Sequence, residues 1–258
     1  EILQILLTSR DASVRFFMLN SQAFDDALLA GIYDEDNPDG IDHDFFRELA
    51  VEKLARNVVD LGCGTGILTV TLAGRDRKVV GIDPAEAMLD VARKRPQLAG
   101  IEWRHGTSNL IEPESYDFAV MSGNVAMHIL GEAWESTLSN LSRGLCPGGT
   151  LVFESRNPVA RMWEEWVSEK TSRMTPMGIL EEETQVVEPD EQGILTIKTK
   201  NFFREHNRRI TVKMQLQFRS LELISHQLES HGFRIDHVYA NWNKTIFENR
   251  ADQPLMIF

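Results

Sequence analysis

A glycine-rich loop constrains the fold of this chain more than any other segment, and its sequence is Asp60-Leu61-Gly62-Cys63-Gly64-Thr65-Gly66. The apolar residues Val58–Leu61 before it are typical of a buried strand, and Ile67–Ala73 after it has a helical pattern. Glycines at a strand-to-helix turn let the backbone approach a ligand and leave amide groups free at the helix start. The glycine loop (Asp60–Gly66) therefore predicts a nucleotide-like ligand at the end of a buried strand.

An acidic residue completes this pattern. The next strand ends at Asp83, roughly 20 residues after the first glycine, where a carboxylate can accept both hydroxyls of a ribose. A dinucleotide fingerprint would place its third glycine at Ile67, whereas here it is Gly66. This spacing disfavours an NAD-type oxidoreductase, although a glycine loop by itself admits several cofactors.

Short β-rich runs alternate with helical patterns along the first part of the chain, which predicts a parallel sheet covered by helices on both faces. The five runs are Asn57–Leu61, Lys78–Ile82, Ile101–His105, Asp117–Ser122 and Thr150–Ser155. A tight turn is predicted at Pro147-Gly148-Gly149.

The pattern changes after Pro158, where two runs alternate apolar and polar residues with period two. These runs predict an antiparallel insertion with one apolar face and a hairpin loop at 205–207. Helix Leu221–Ser230 and strands over Arg234–Tyr239 and Pro254–Phe258 complete the expected elements. The two alternating runs are Ile194–Phe203 and Arg209–Phe218.

Several motifs, in this order, resemble the class I S-adenosylmethionine-dependent methyltransferases. They are the glycine loop, Gly81-Ile82-Asp83-Pro84, the fourth strand ending at Ser122, and Leu145-Cys146-Pro147-Gly148-Gly149-Thr150-Leu151. The resemblance implies an α/β fold with a Rossmann-like, seven-stranded, mostly parallel sheet in the order 3-2-1-4-5-7-6 and an antiparallel insertion after strand five. It divides the chain into an N-terminal helical region closing over the cofactor (1–56), a core (57–158 with 219–258) and an inserted cap or dimerisation element (159–218).

The same resemblance implies the residues that contact S-adenosylmethionine. Tyr33-Asp34 resembles the Tyr-Asp element of the small-molecule branch, in which an N-terminal tyrosine covers the cofactor. One departure is Gly106-Thr107-Ser108, where the family commonly has Gly-Asp-Ala, so the charged acceptor for the adenine amino group is absent. The expected cofactor-binding residues are Tyr33, Asp60, Gly62, Cys63, Gly64, Thr65, Asp83, Pro84, Met88, Thr107, Ser108 and Ser122.

Three further residues are candidates for catalysis or for binding the molecule that accepts the methyl group. His128 follows strand four and could take a substrate proton as a neutral imidazole, or it could be a histidine satisfied by its helix neighbours. Arg156, at the end of strand five, could clamp a carboxylate or phosphate, or form a salt bridge with Glu154. Trp163 could line the substrate pocket, or belong to the core.

Composition narrows the substrate class. The formal net charge of −12 opposes binding to nucleic acid. No apolar run is long enough to cross a bilayer, and two cysteines are too few for a disulfide framework, so a cytoplasmic location is expected. No metal is expected, since His43 and Asp44 are assigned to a solvated loop.

The resulting hypothesis is methyl transfer from S-adenosylmethionine to nitrogen or oxygen of a small-molecule metabolite. A non-catalytic, cofactor-binding regulatory homologue is the main alternative, and a homodimer joined through the inserted sheet is a further hypothesis.

Overall fold

The computed structural model describes residues 24–96 and 100–258. Its helices are α1 (Ala27–Ala30), α2 (Tyr33–Asp36), α3 (Ile41–Glu52), α4 (Thr69–Leu72), α5 (Glu86–Ala92), α6 (Val125–His128), α7 (Glu132–Gly144) and α8 (Leu221–Ser230). Its strands are β1 (Asn57–Leu61), β2 (Lys78–Asp83), β3 (Ile101–His105), β4 (Tyr116–Met121), β5 (Leu145–Arg156), β6 (Ser168–Thr175), β7 (Gly178–Val187), β8 (Ile194–Phe203), β9 (Arg208–Gln217) and β10 (Leu255–Ile257). The part of the N-terminal helical region before residue 24 lies outside the described residues.

The central sheet has the order β3-β2-β1-β4-β5-β10, in which only β10 runs antiparallel to its neighbour. This order confirms the Rossmann-like α/β fold class. The prediction of a strand over Arg234–Tyr239 is wrong, because only Tyr239 pairs there, through isolated bridges to Ile246 and Ile257. Among the described residues the sheet therefore has six strands rather than seven.

Two local predictions need correction. Pro147-Gly148-Gly149 lies inside β5, where the pairing with β4 jumps from Leu145 to Thr150, so the turn is a bulge within one strand. The helix expected over Ile67–Ala73 is regular only over α4. Three β-branched residues in succession, Thr69 to Thr71, lower helix propensity because they lose side-chain freedom against the preceding turn.

Each face of the central sheet is covered by helices. Val58 and Val59 are neighbours on β1 yet belong to different hydrophobic clusters, since successive strand residues point to opposite faces. On one face, Trp134 of α7 and Ile224 of α8 pack with Val59. On the other, Phe46 of α3 packs with Val58. No helix among the described residues combines the length and the apolar character needed to span a membrane.

A separate antiparallel sheet, β6-β7-β8-β9, follows β5 and is called the cap sheet below. The two strands predicted from period-two alternation are confirmed as β8 and β9, and they pair from Ile194↔Gln217 to Phe203↔Arg208. Strands β6 and β7 lie where the sequence pattern predicts no strand. The acidic run Glu181–Glu183 belongs to β7, and its residues form ion pairs with bases on β6 and β8 and on the β8–β9 loop.

The inner face of the cap sheet packs on the core at both ends. Leu195, Ile197 and Leu216 cluster with Met127 of α6. At the opposite end, Leu180 and Phe203 cluster with Leu28 of α1. Ion pairs from Arg208 to Asp26 and from Arg173 to Asp36 tie the same end to the N-terminal helices.

Candidate active site

A cleft opens where the carboxyl ends of β1, β2 and β4 meet, which is the edge at which parallel α/β sheets bind ligands. It encloses about 610 Å³ of empty space when its open mouth is included. The lining residues are Phe24, Tyr33, Gly62, Gly64, Asp83, Pro84, Ala85, Met88, Ser122, Gly123, Val125, His128 and Ile129. The structure thus brings together seven of the cofactor-binding candidates and His128.

The glycine loop forms the floor of this cleft. Gly62, Gly64 and Gly66 have φ angles of +75°, +54° and +73°, a region that L-residues with side chains rarely adopt. A Cβ atom on Gly62 would lie 2.4 Å from Cγ2 of Val125, so the loop needs glycine here for space as well as for φ. The amide of Gly62 donates to the carbonyl of Ile82 at 2.7 Å, which holds the loop against β2.

Asp83 lies at the end of β2 and is only 7% exposed. One carboxylate oxygen accepts the amide of Gly64 and the other accepts the amide of Ala85, each at 2.8 Å. Burial raises the pKa of Asp83 to about 6, and the two amide hydrogen bonds partly oppose that rise. Each oxygen keeps a second lone pair, so the carboxylate can still accept hydroxyl groups from a ligand.

Tyr33, on α2, is placed beside the glycine loop. Its Cε1 atom would be 3.9 Å from a Cβ on Gly64, and its hydroxyl oxygen would be 3.8 Å from a Cβ on Gly123. Burial and the nearby carboxylates of Asp83, Asp34 and Glu154 raise the pKa of Tyr33 to about 12, so the phenol stays protonated. A protonated phenol that spans the loop is suited to cover a bound ligand.

A polar network fixes the loop to α2. The hydroxyl of Thr65 donates to Asp34 at 2.6 Å, and Arg95 donates to the carbonyl of Thr65 at 2.6 Å while pairing with Asp34. No sequence motif marks Arg95 for this role, because it is separated from Asp34 by about 60 positions.

Two residues of the glycine loop, Asp60 and Cys63, are buried and do not line the cleft. Asp60 is fully buried below the loop and accepts the hydroxyl of Thr69 at 2.6 Å. Burial raises the pKa of Asp60 to about 7. Burial likewise raises the pKa of the Cys63 thiol, which removes it from thiolate chemistry at neutral pH.

His128 ends the short helix α6. Its ring meets Phe24 edge to face, with 5.4 Å between ring centroids. Burial lowers its pKa to about 4, so the imidazole is neutral at pH 7. A neutral imidazole can accept a proton, but with this pKa it is a weak base.

Arg156 is held at the rim of the cleft. Its Nε donates to Asn124 Oδ1 at 3.0 Å, and the amide of Asn124 donates to the buried carboxylate of Glu154. Burial raises the pKa of Glu154 to about 7 and lowers that of Arg156. The two residues therefore share Asn124 rather than forming the direct salt bridge considered from the sequence.

The cleft lining does not include Trp163, Ser108 or Thr107, nor Asp60, Cys63, Thr65 and Arg156 described above. Trp163 is 5% exposed and packs on Phe218 with 4.7 Å between ring centroids, as a core residue would. The hydroxyl of Ser108 bonds to Thr137 and Asn140 of α7, and that of Thr107 bonds to Asn109. His43 lies on α3, 7% exposed, with its Nδ1 2.9 Å from Asp39, so its assignment to a solvated loop is wrong.

No group of three or more His, Cys, Asp or Glu side chains among residues 24–96 and 100–258 is arranged to hold a metal ion.

Part of this chain is similar in sequence to known methyltransferases. A family model described as a methyltransferase domain matches residues 58–149. A ubiquinone biosynthesis O-methyltransferase of Hahella chejuensis is 34% identical over 129 residues, which are 48% of this chain and 53% of that protein. The chain spans about half the length of the curated relatives that it matches.

Solved structures extend the likeness to most of the chain. An S-adenosylmethionine-dependent methyltransferase from Clostridium acetobutylicum has a TM-score of 0.69 at 19% identity, covering 87% of this chain and 94% of that one. A sugar N-methyltransferase from Streptoalloteichus has a TM-score of 0.66 at 14% identity, covering 87% and 89%. At these identities the likeness establishes the fold. Residues 58–149 therefore match a methyltransferase domain, and the chain has the fold of the S-adenosylmethionine-dependent methyltransferases that it resembles.

Proposed function

We propose that the protein transfers a methyl group from S-adenosylmethionine to a nitrogen or oxygen atom of a small-molecule metabolite. The observation that carries this proposal is a cleft that joins the glycine loop and Asp83 to Ser122 and His128. In this proposal the half of the cleft at Gly64 and Asp83 holds the nucleoside, and the half beside His128 receives the acceptor.

The cofactor half is supported by the chemistry of its lining. Asp83 offers free lone pairs to the two ribose hydroxyls, while Pro84 and Met88 offer apolar surface to an adenine ring. The positive φ angles of Gly62 and Gly64 leave the loop without side chains on the ligand side. In this proposal Tyr33, which lies beside Gly64 and Gly123, covers the methionine half.

When bound, the sulfonium supplies an already activated methyl group, so the enzyme mainly has to align the acceptor and exclude water. Neutral His128 can accept the proton that an acceptor releases, but its low pKa limits that role. We therefore attribute most of the rate enhancement to alignment of the acceptor with the methyl group, and a supporting role to His128. Arg156 stays a candidate for contacting an acceptor at the rim.

The cap sheet is the proposed ceiling of the acceptor half. Its two apolar ends pack on α6 and on α1, and both His128 of α6 and Phe24 before α1 line the cleft. Between these ends the inner face carries the half-buried Thr184 and Thr199, whose hydroxyls are 3.2 Å apart. Because the apolar face is covered by its own chain, a homodimer would have to use the outer face or the edges β6 and β9.

The names of the relatives support a small acceptor. One is a ubiquinone biosynthesis O-methyltransferase, and the structural neighbour from Streptoalloteichus is a sugar N-methyltransferase. Both acceptor classes are small molecules, and they leave nitrogen and oxygen equally open for this chain.

Calorimetry with S-adenosylhomocysteine tests the cofactor half. We expect binding by the wild type and no binding of NAD. Asp83→Asn keeps an oxygen for the Gly64 or Ala85 amide but removes the charge, and hydrogen bonds to charged groups contribute about 1.5–3 kcal/mol each. Affinity should therefore fall by roughly tenfold or more.

Asp236→Asn is the matched control, since Asp236 is an exposed acid paired with Lys53 and Arg234, away from the cleft lining. Unchanged affinity in Asp83→Asn would contradict the ribose assignment. Transfer of labelled methyl groups to a panel of amines, hydroxyl compounds and quinols tests the reaction. Tight cofactor binding without transfer to any of them would favour the non-catalytic alternative.

A further inference from the structure

One wall of the cleft is the short segment Gly123–Ile129, called the cleft wall below. It contains α6 and contributes Gly123, Val125, His128 and Ile129 to the lining. Its first residues are held from β5, through the contacts of Asn124 with Glu154 and Arg156. The other end of the wall is held by a residue that belongs to no motif of the sequence.

That residue is Arg219, which lies between β9 and α8 and is 3% exposed. Its guanidinium donates to the carbonyl of Ala126 at 3.0 Å and to the carbonyl of Ile129 at 2.6 Å. A third hydrogen bond, of 2.6 Å, goes to the side-chain oxygen of Gln217. The ring of Trp134 lies against the guanidinium, 4.8 Å from its centre.

Gln217, the last residue of β9, joins the same group of contacts to the cap sheet. Its side-chain oxygen also accepts the amide of Gly131 at 3.0 Å, just beyond the cleft wall. Its side-chain amide donates to the carbonyl of Gln192 at 3.1 Å, before β8. Gln217 therefore links the chain after the cleft wall, the buried arginine and the cap sheet.

A guanidinium in this position is costly unless its donors are satisfied, because burying a charge removes its hydration. Desolvation accordingly lowers the pKa of Arg219 to about 9. A planar fork of donors can bridge two carbonyls at once, which a single ammonium group cannot do with the same geometry. These contacts therefore favour arginine over lysine at position 219.

We propose that Arg219, oriented by Gln217, is a positioning residue that fixes the cleft wall and with it the place of the acceptor beside His128. The expected loss of turnover rests on the proposed function, but the position of the cleft wall can be measured without any acceptor. The cofactor floor is held separately, by Ile82, Asp83 and the Asp34–Thr65–Arg95 network. Loss of Arg219 should therefore disturb the acceptor side and spare cofactor binding.

The test compares Arg219→Lys with Arg77→Lys. Arg77 is a matched control, since its guanidinium likewise donates three hydrogen bonds, here to the carbonyls of Ala55 before β1, Leu72 on α4 and Ala50 on α3. Both variants keep the positive charge and lose the bridging geometry. Thermal denaturation first establishes that each is folded.

Two acceptor-independent measurements follow. NMR titration gives the pKa of His128, identified by the signal lost in His128→Gln, and hydrogen exchange gives the protection of amides 123–131. In Arg219→Lys we expect water to reach the wall, so the His128 pKa should rise from about 4 towards its ordinary value. Exchange in the segment should accelerate by about tenfold or more, while Arg77→Lys matches the wild type on both measurements.

Binding and turnover complete the test. The dissociation constant for S-adenosylhomocysteine should stay within about threefold of the wild type, and kcat for any acceptor identified should fall by roughly tenfold or more, as expected for a displaced reactant. A folded Arg219→Lys with unchanged His128 titration and unchanged exchange would overturn the proposal. A parallel loss of cofactor affinity would also overturn it, because the arginine would then support the whole site.

If Arg219→Lys does not fold, Gln217→Met serves instead, since it removes the oxygen shared by Arg219 and Gly131 while keeping side-chain length. It should shift the His128 pKa and the exchange in the same direction, and no shift would contradict the proposal. If the wild type methylates no acceptor, the proposed function fails, while the titration and exchange results still decide whether Arg219 holds the wall.

Discussion

Buried acids dominate the electrostatics of individual residues in this protein. Burial raises the pKa of Asp60 to about 7, of Asp83 to about 6 and of Glu154 to about 7. In each case the folded-state pKa is above the ordinary value, so the folded protein keeps a proton that the unfolded chain has already released. The free energy of unfolding therefore falls as pH rises from about 4 to 7 through these groups.

The substitution Asp60→Asn tests the contribution of one of these buried acids to the pH dependence of stability. The amide side chain of this variant can still accept the Thr69 hydroxyl but cannot ionise, so the variant should gain stability relative to the wild type as pH rises. Each unit of pKa difference is worth about 1.4 kcal/mol, and we expect the gain at pH 8 to exceed that at pH 5 by more than about 1 kcal/mol. Thermal denaturation of both proteins without cofactor measures this difference, with Asp236→Asn as a control at an exposed acid. An equal effect at both pH values would show that Asp60 is ionised in the folded protein.

At the scale of elements, the fit of the glycine loop against α6 shapes the cleft. Gly62→Ala would place a Cβ 2.4 Å from Val125 and at a φ of +75°, whereas Gly74→Ala would meet nothing within 4 Å at a glycine without positive φ. Backbone strain of this kind costs roughly 1–3 kcal/mol, to which the displacement of Val125 adds. Denaturant unfolding should reveal a loss of about 2 kcal/mol or more for Gly62→Ala and little change for Gly74→Ala. Cofactor affinity should fall only in the first variant, and equal losses in both would show that the fit against Val125 is unimportant.

At the scale of the whole molecule, the formal charge of −12 sets which partners approach the surface. Several of the described bases are paired with acids, as in Arg95–Asp34 and Arg173–Asp36. Polyanions should therefore be repelled. Fluorescence anisotropy with labelled duplex DNA and structured RNA should give no saturable binding at about 50 mM salt. Saturable binding that weakens as salt increases would contradict the assignment of a small-molecule acceptor.

The sequence by itself determined the features that depend on local chain geometry. Strand-loop-helix spacing around Gly62, Gly64 and Gly66 requires positive φ and a ligand-facing backbone, and the distance to Asp83 follows from one βαβ unit. Period-two alternation similarly predicted β8 and β9. These signals are readable because each lies within one segment of the chain.

Only the tertiary structure decided the features that join distant segments. Arg95 meets Asp34, and Arg219 reaches the carbonyls of Ala126 and Ile129 from about 90 positions away. Trp163 is a core residue because the cap sheet folds over it, and the segment ending at Tyr239 pairs with β10 only through the bridge of Tyr239 to Ile257. Such outcomes depend on which surfaces meet, and long-range packing leaves no periodic trace in the sequence.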